Sequence, residues 1–200
     1  EWFAQQQLHT LEDEAIARMI DRIGHQISGV WDYNDQHPSA IRLALDGQLS
    51  NWVFTGGDIE NGNCYYIDTS TPMFQVNGEE QVVPELFVKS APGCLRWVIR
   101  LFFLDDVMNR YYRKRDVFID LAANLYKEQR ADIIDLVVAR ITRHLPDQSE
   151  PVTSKDVESY YREDKLIWRL FLAFRRIDRW LRTRIFRKQY EHILPGKIAR

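Results

Sequence analysis

Lysine is missing from the first 88 residues of this 200-residue chain, and cysteine occurs only at Cys64 and Cys94. Two cysteines are too few for a disulfide framework and form no C-x-x-C pair, so reduced, buried thiols in a cytoplasmic protein are expected. Long apolar runs are missing too. Residues 94–104 are interrupted by Arg96 and Arg100, and residues 166–174 by Arg169. Both fall short of the roughly 20 apolar residues that a membrane span requires, so none is expected. The chain starts at Glu1 without a basic, then apolar, leader, so no signal peptide is expected. His9, His25, His37, His144 and His192 are scattered and form no H-E-x-x-H or comparable ligand pair, which argues against zinc. A G-x-S-x-G elbow is absent, and neither cysteine has a catalytic setting.

What is present is the composition of a folded protein: 45% hydrophobic and 12% aromatic residues. This length forms one domain, or at most two small ones. The net charge of -2 conceals a split. Residues 1–60 carry Arg18, Arg22 and Arg42 against ten acids, whereas residues 160–200 carry twelve Lys or Arg against Glu163, Asp164, Asp178 and Glu191. Opposed charge of this kind serves self-association, docking, or a polyanionic partner.

Periodicity orders the chain. Thr10 caps a helix over 10–29, with Leu11, Ala15, Met19, Ile23 and Ile27 at helical spacing. A loop over 32–39 follows. The short runs 40–45, 52–54 and 64–68, rich in Val, Ile, Phe and Tyr, read as strands, the last two joined by a turn over 55–63. Met73 to Val76 and Glu80 to Val83, around Asn77-Gly78, read as a second hairpin or a structured loop. The β region thus covers 40–83, and helices fill 91–192: an apolar one over 93–112, then 116–127, 131–144 and a long one from about 153. Pro195-Gly196 ends the last. Thr153 with Asp156 three residues on resembles a capping box. The expected fold is α+β, predominantly α, a helical bundle with a small β insert in a single domain of residues 1–200.

One polar constellation stands out. Asp46 and Asn51 flank a short loop, and Asp68 closes the strand that returns after the turn. Phosphoryl transfer asks mainly for positioning and charge neutralisation. Mg²⁺ prefers hard oxygen ligands, which an Asn amide and an Asp carboxylate supply. A separate Asp is needed to accept the proton of the incoming hydroxyl. The same residues also suit ordinary Asx turns.

Asp46-x-x-x-x-Asn51, strand, turn, strand and Asp68 resembles the catalytic and metal-binding loops of the protein-kinase-like superfamily, aminoglycoside phosphotransferase and choline kinase type. In that family the metal Asp follows the Asn by about 15 to 20 residues. The segment Asp116-Val-Phe-Ile-Asp120-Leu-Ala also resembles the helical part of that lobe. The resemblance is specific over 41–72 and topological over 10–190. It implies a kinase-like C-terminal lobe with Asp46 as catalytic base, Asn51 and Asp68 as Mg²⁺ ligands, and ATP as phosphoryl donor to a small-molecule hydroxyl. The pattern departs at Ala44, where the family has His, and at Thr69-Ser70. No Gly-rich phosphate loop precedes Asp46, which implies a fragment whose N-terminal nucleotide-binding lobe lies elsewhere and which alone binds ATP weakly.

The alternative is a catalytically inactive interaction module. Its carrier is the basic C-terminal helix, with Arg169, Arg175, Arg176, Arg179, Arg182, Arg184, Arg187 and Lys188 among Trp168, Phe171, Phe174, Trp180 and Phe186. Such a helix can meet an anionic partner. No nucleic-acid motif accompanies it, so the expected role is a core helix packed through Ile167, Leu170, Phe174, Ile177 and Leu181. Trp31, Trp52 and Trp97 are expected in the core, Asp105-Asp106 on a helix surface, and Glu85 and Lys89 after the metal loop.

Overall fold

The apolar repeat beginning at Leu11 forms a helix that starts later and runs further than its spacing suggests. In the computed structural model, which describes residues 2–38, 41–56, 58–59, 61–68, 73–82, 108–145, 151–187 and 189–190, helix α2 covers Asp13–Gln36. It follows strand β1 (Trp2–Phe3) and a short helix α1 (Ala4–Gln7). Thr10 does not cap α2. Its hydroxyl bonds back to Gln7 instead, and Glu12 holds the N-cap position without a side-chain bond. The helix passes through exposed Gly29 because Val30 and Trp31 still pack on the core. It stops at His37, before Pro38, which disfavours helical backbone in the residue preceding it. The loop expected over 32–39 is therefore mostly the last turns of α2.

Those turns have a task. Asn34 Nδ2 donates to Leu43 O at 2.9 Å, and Leu43 N donates to Asn34 Oδ1 at 2.8 Å. This two-pronged bond fixes strand β2 (Ile41–Leu43) to the helix. Strands β3 (Trp52–Thr55) and β4 (Asn63–Tyr66) form the expected hairpin, in register Trp52↔Tyr66 through Thr55↔Asn63. Arg22 of α2 holds the connecting loop by donating to the carbonyls of Ile59 and Gly62. Strands β5 (Phe74–Val76) and β6 (Glu79–Glu80) form the second hairpin. Its turn residues Asn77 and Gly78 both have positive φ, 52° and 82°, as a type I′ turn demands. Two antiparallel sheets result, β1-β3-β4 and β2-β5-β6. Strand β1 pairs with β3 across fifty residues, a long-range partnership that two aromatic residues do not announce.

The helical part follows. Helix α3 is Lys114–Lys127, and α4 is Ile134–Ile141 between 3-10 turns at Ala131–Ile133 and Thr142–His144. Helix α5 is Ser154–Trp180 and continues as a π turn over Leu181–Ile185. It ends there rather than near residue 192. Its entry is a reciprocal capping box: Thr153 N donates to Asp156 Oδ2 at 2.9 Å, and Asp156 N donates to Thr153 Oγ1 at 3.2 Å. Most of the expected 93–112 helix, with Cys94, Trp97, Asp105 and Asp106, lies outside the described residues, as do Glu85, Lys89, residues 146–150 and the Pro195-Gly196 stop.

The chain divides into two units, Glu1–Val82 with Asn109–Tyr161, and Val83–Met108 with Arg162–Arg200. The core of the first joins Ile16, Met19, Ile20, Ile23 and Ile27 of α2 to Phe118, Leu121 and Leu125 of α3, Val137 and Ile141 of α4, and Trp52 and Phe54 of β3. Each such side chain contributes about 1.5–3 kcal/mol on burial. In the second unit, Leu170, Phe174 and Ile177 of α5 are exposed, contrary to the core face expected for them. The architecture is α+β, mostly helical with small antiparallel sheets. Among the described residues no helix is long and apolar enough to cross a membrane.

Asn34→Ala removes both bonds to Leu43 and leaves a part-buried donor and acceptor unmatched. We expect a loss of about 1–3 kcal/mol in denaturant unfolding. Asn34→Asp, which still accepts from Leu43 N but cannot donate to Leu43 O, should lie between the variant and the parent.

Candidate functional site

Alternation sets the loop after β2. Leu45, Gly47 and Leu49 are buried, while Asp46 and Gln48 between them are half-buried. Leu45 N donates to Tyr111 O at 3.2 Å, just before α3. Gly47 then lies against the first turns of α3, where an added Cβ would come within 2.4 Å of Val117 O and 3.2 Å of Val117 Cγ1. Only glycine permits that approach. With Leu45 and Leu49 anchored in the core, Asp46 turns the other way. Its Oδ1 accepts from Gln48 N at 3.1 Å, closing an Asx turn, and its Oδ2 meets Gln48 Nε2 at 3.3 Å.

Asn51 follows in a 3-10 turn at Leu49–Asn51. Its carbonyl accepts from Ile67 N at 2.9 Å, which ties the end of β4 to the start of β3. Period-two alternation puts Cys64, Tyr66 and Asp68 on one side of the returning strand. Cys64 is buried, and burial pushes its thiol up to about 11, so it stays a packing residue. Tyr66 sits edge-on to Trp52 with ring centroids 5.1 Å apart.

The third wall comes from α3. Val117 through Leu125 are all buried, including Asp120 and Asn124. Asn124 Nδ2 donates to Asp120 O at 2.7 Å. Lys127, two turns beyond Asp120, holds its ammonium 3.9 Å from Asp120 Oδ1, with side chains only 14% and 10% exposed. Tyr160 of α5 also meets Asp120, and Arg110 lies over the Tyr160 ring at 5.2 Å. Burial, then the Asp120 charge, raises the Tyr160 phenol.

Electrostatics shows what shares the site. The Asp46 carboxyl is raised above its ordinary 3.8, first by loss of solvent and further by the Asp68 charge. Gln48 N–H, the Lys127 ammonium and the Asn51 amide oppose that rise. Tyr66 is raised by burial and by the charges of Asp46 and Asp68, against the Asp46 backbone and the Asn51 amide. Asp46, Asn51 and Asp68 therefore all act on Tyr66, and the three residues singled out in the sequence share one neighbourhood. The Asn51 amide stands close to Asp46 and Tyr66, yet its buried Nδ2 makes no hydrogen bond of ordinary geometry. Its Oδ1 meets Ser50 Oγ at 3.5 Å.

Sequence reasoning missed Tyr66, Asp120 and Lys127 as site residues. Tyr66 had a signal, two residues before Asp68 and hence on its face. Asp120, Asn124 and Lys127 had another, a polar stripe at helical spacing in an otherwise apolar helix. The chemistry on offer is a set of hard oxygens, a carboxyl of raised proton affinity, a protonated phenol and one ammonium.

The raised Asp46 carboxyl carries a stability consequence. The folded chain holds that proton to higher pH than the unfolded chain, so its contribution is full below the ordinary value of 3.8 and is lost as pH climbs through the raised value. Asp46→Asn keeps an acceptor for Gln48 N without the desolvated charge. We expect a higher thermal midpoint than the parent at pH 7 and equal midpoints at acid pH; a lower midpoint at pH 7 would show the charge to be well compensated.

A family model described as "Family of unknown function (DUF6206)" matches residues 1–179. No curated protein matches the chain, and no solved structure does.

Proposed function

The chain belongs to that family, and we propose that it is the C-terminal lobe of an ATP- and Mg²⁺-dependent phosphotransferase acting on a small-molecule hydroxyl. The observation carrying this reading is the meeting of Asp46, Asn51 and Asp68 around Tyr66. They come from three separate places, the loop after β2, the 3-10 turn before β3 and the end of β4. The hairpin register brings Asn51 beside the end of β4; what supports the reading is that Asp46, from the loop before it, joins them.

In this reading Asp46 is the base. Both of its oxygens meet Gln48, Oδ2 through the longer bond. The acceptor oxygen forms a bond to the γ-phosphorus, the bond from that phosphorus to ADP breaks, and the hydroxyl proton passes to Asp46. Raised proton affinity suits a group that must take a proton yet be ionised at neutral pH. Asn51 Oδ1 and the Asp68 carboxylate are an all-oxygen donor pair of the kind Mg²⁺ takes, with room for phosphate oxygens and water. Bound there, Mg²⁺ supplies neutralisation of the phosphate charge. Asp120 pairs with Lys127, whose charge favours the ionised form of Asp46. Tyr66, raised by burial and by both acids, stays protonated beside them.

The test is Mg²⁺-dependent ADP release from ATP by the protein together with its nucleotide-binding lobe, measured with a panel of small hydroxyl compounds. Asp46→Asn should lower kcat by about 10²–10⁴-fold, the usual share of general base catalysis, with ATP affinity little changed. Asn51→Ala and Asp68→Asn should raise the Mg²⁺ concentration needed. A protein that takes up neither Mg²⁺ nor ATP with all three residues intact would contradict the reading, as would full turnover by Asp46→Asn.

A second reading, an interaction module for an anionic partner, rests on α5. Leu166, Leu170, Phe174 and Ile177 are exposed along one stripe, with Trp180 beyond. Arg176 and Arg179 are exposed beside them. Loss of partner binding on neutralising these two arginines, with Asp46→Asn silent, would favour it.

A further inference from the structure

His25 and His144 look unrelated in the sequence, but the fold places them together. Asp21 and His25 are one turn apart on α2 and so share a face. His144 ends the 3-10 turn after α4 and lies over α2 at Gly24. An added Cβ at Gly24 would come within 2.6 Å of His144 Cδ2 and 2.7 Å of its Nε2. The missing side chain is therefore the slot for the ring. Phe118 stacks on the imidazole at 5.8 Å and 18°, and His25 meets it edge-on at 4.7 Å. The ring is thereby held with Nε2 toward Asp21 Oδ1, at 2.9 Å. Candidate ligand atoms of the three residues all lie within 4.8 Å of one another.

We propose that Asp21, His25 and His144 form a binding site for a borderline divalent transition-metal ion of the zinc class. Two imidazoles and one carboxylate select Zn²⁺ or Co²⁺ over Mg²⁺, which wants oxygen alone. Metal–nitrogen bonds of about 2.0–2.1 Å in a tetrahedron put ligand atoms about 3.4 Å apart. Asp21 and His144 must open slightly from their hydrogen bond, and exposed His25 must swing inward. The metal takes the place of the proton between Asp21 Oδ1 and His144 Nε2, and the neutral ring then carries its proton on Nδ1. Three protein ligands leave a fourth position for water. The ion would brace the turn at 142–144 against α2. This inference does not rest on the phosphotransferase reading.

The experiment titrates metal-stripped protein with Co²⁺ and then Zn²⁺ under excess Mg²⁺, which occupies any all-oxygen site. We expect one equivalent of Co²⁺ with an intense visible band of low coordination number, displaced by Zn²⁺, and a raised thermal midpoint. His25 is exposed, and His25→Ala keeps the Asp21–His144 bond, the Gly24 slot and the Phe118 stack that seat the ring. It should weaken Co²⁺ binding at least about tenfold, the least that even an outer-shell partner is worth. Asp68→Asn should bind as the parent does. No saturable uptake, or equal uptake by His25→Ala, would overturn the proposal and leave Asp21–His144 as a tether between α2 and the turn. Loss of uptake in Asp68→Asn would also overturn it, by putting the ion elsewhere.

Discussion

From Val117 to Leu125 every residue of α3 is buried, so over this stretch the helix has no face left for water and each polar group on it must find its partners within the protein. Asp120, Asn124 and Lys127 meet that demand together. Asn124 turns back to the Asp120 carbonyl, Lys127 pairs loosely with the carboxylate, and Tyr160 approaches it from α5. Breaking such a buried ion pair leaves an uncompensated charge, which is why its geometry is held once formed. The same helix receives Gly47 against Val117 O and stacks Phe118 on His144. Both candidate sites of the first unit are thus seated on α3, one through its polar stripe and the other through its apolar side.

This arrangement explains why Asp46 is where it is. Leu45 and Leu49 are drawn into the core, and Gly47 allows the backbone between them to lie on α3. Asp46 is left facing Tyr66 and the charge of Asp68. Burial and a like charge both work against its ionisation, and Gln48, Lys127 and Asn51 only oppose them. The Asx turn to Gln48 gives the fold a use for a carboxylate there; perturbed acids of this kind also cluster at sites that move protons.

Much of the fold was legible in local pattern. The strands near 41, 52 and 63, the I′ turn at Asn77-Gly78, the capping box at Thr153 and the helix over 114–127 follow from short-range chemistry that the sequence states openly. What was not legible depended on distant partners. Strand β1 exists because β3 offers an edge, and α2 outruns Gly29 because Asn34 meets Leu43. The apolar stripe of α5 reads as core by period, but a hydrophobic face says nothing of what covers it, and Leu170, Phe174 and Ile177 are exposed. For the site, Asp46, Asn51 and Asp68 could be named from their spacing between strands. Tyr66 and Lys127 required the third dimension, as did the pairing of His144 with Asp21 and His25. A ligand pair read along the chain needs both members in one element, and His144 comes from another.

The central proposal is that Asn51 and Asp68 hold a phosphate-bound cation, with Asp46 beside it as the base. A crystal soaked with Mn²⁺ and a non-hydrolysable ATP analogue, examined for anomalous density, tests it most directly. The account expects a peak held between Asn51 Oδ1 and the Asp68 carboxylate, with Asp46 beside it and facing open space. An empty site with the three side chains turned apart, or Mn²⁺ found only at Asp21, His25 and His144, would contradict it.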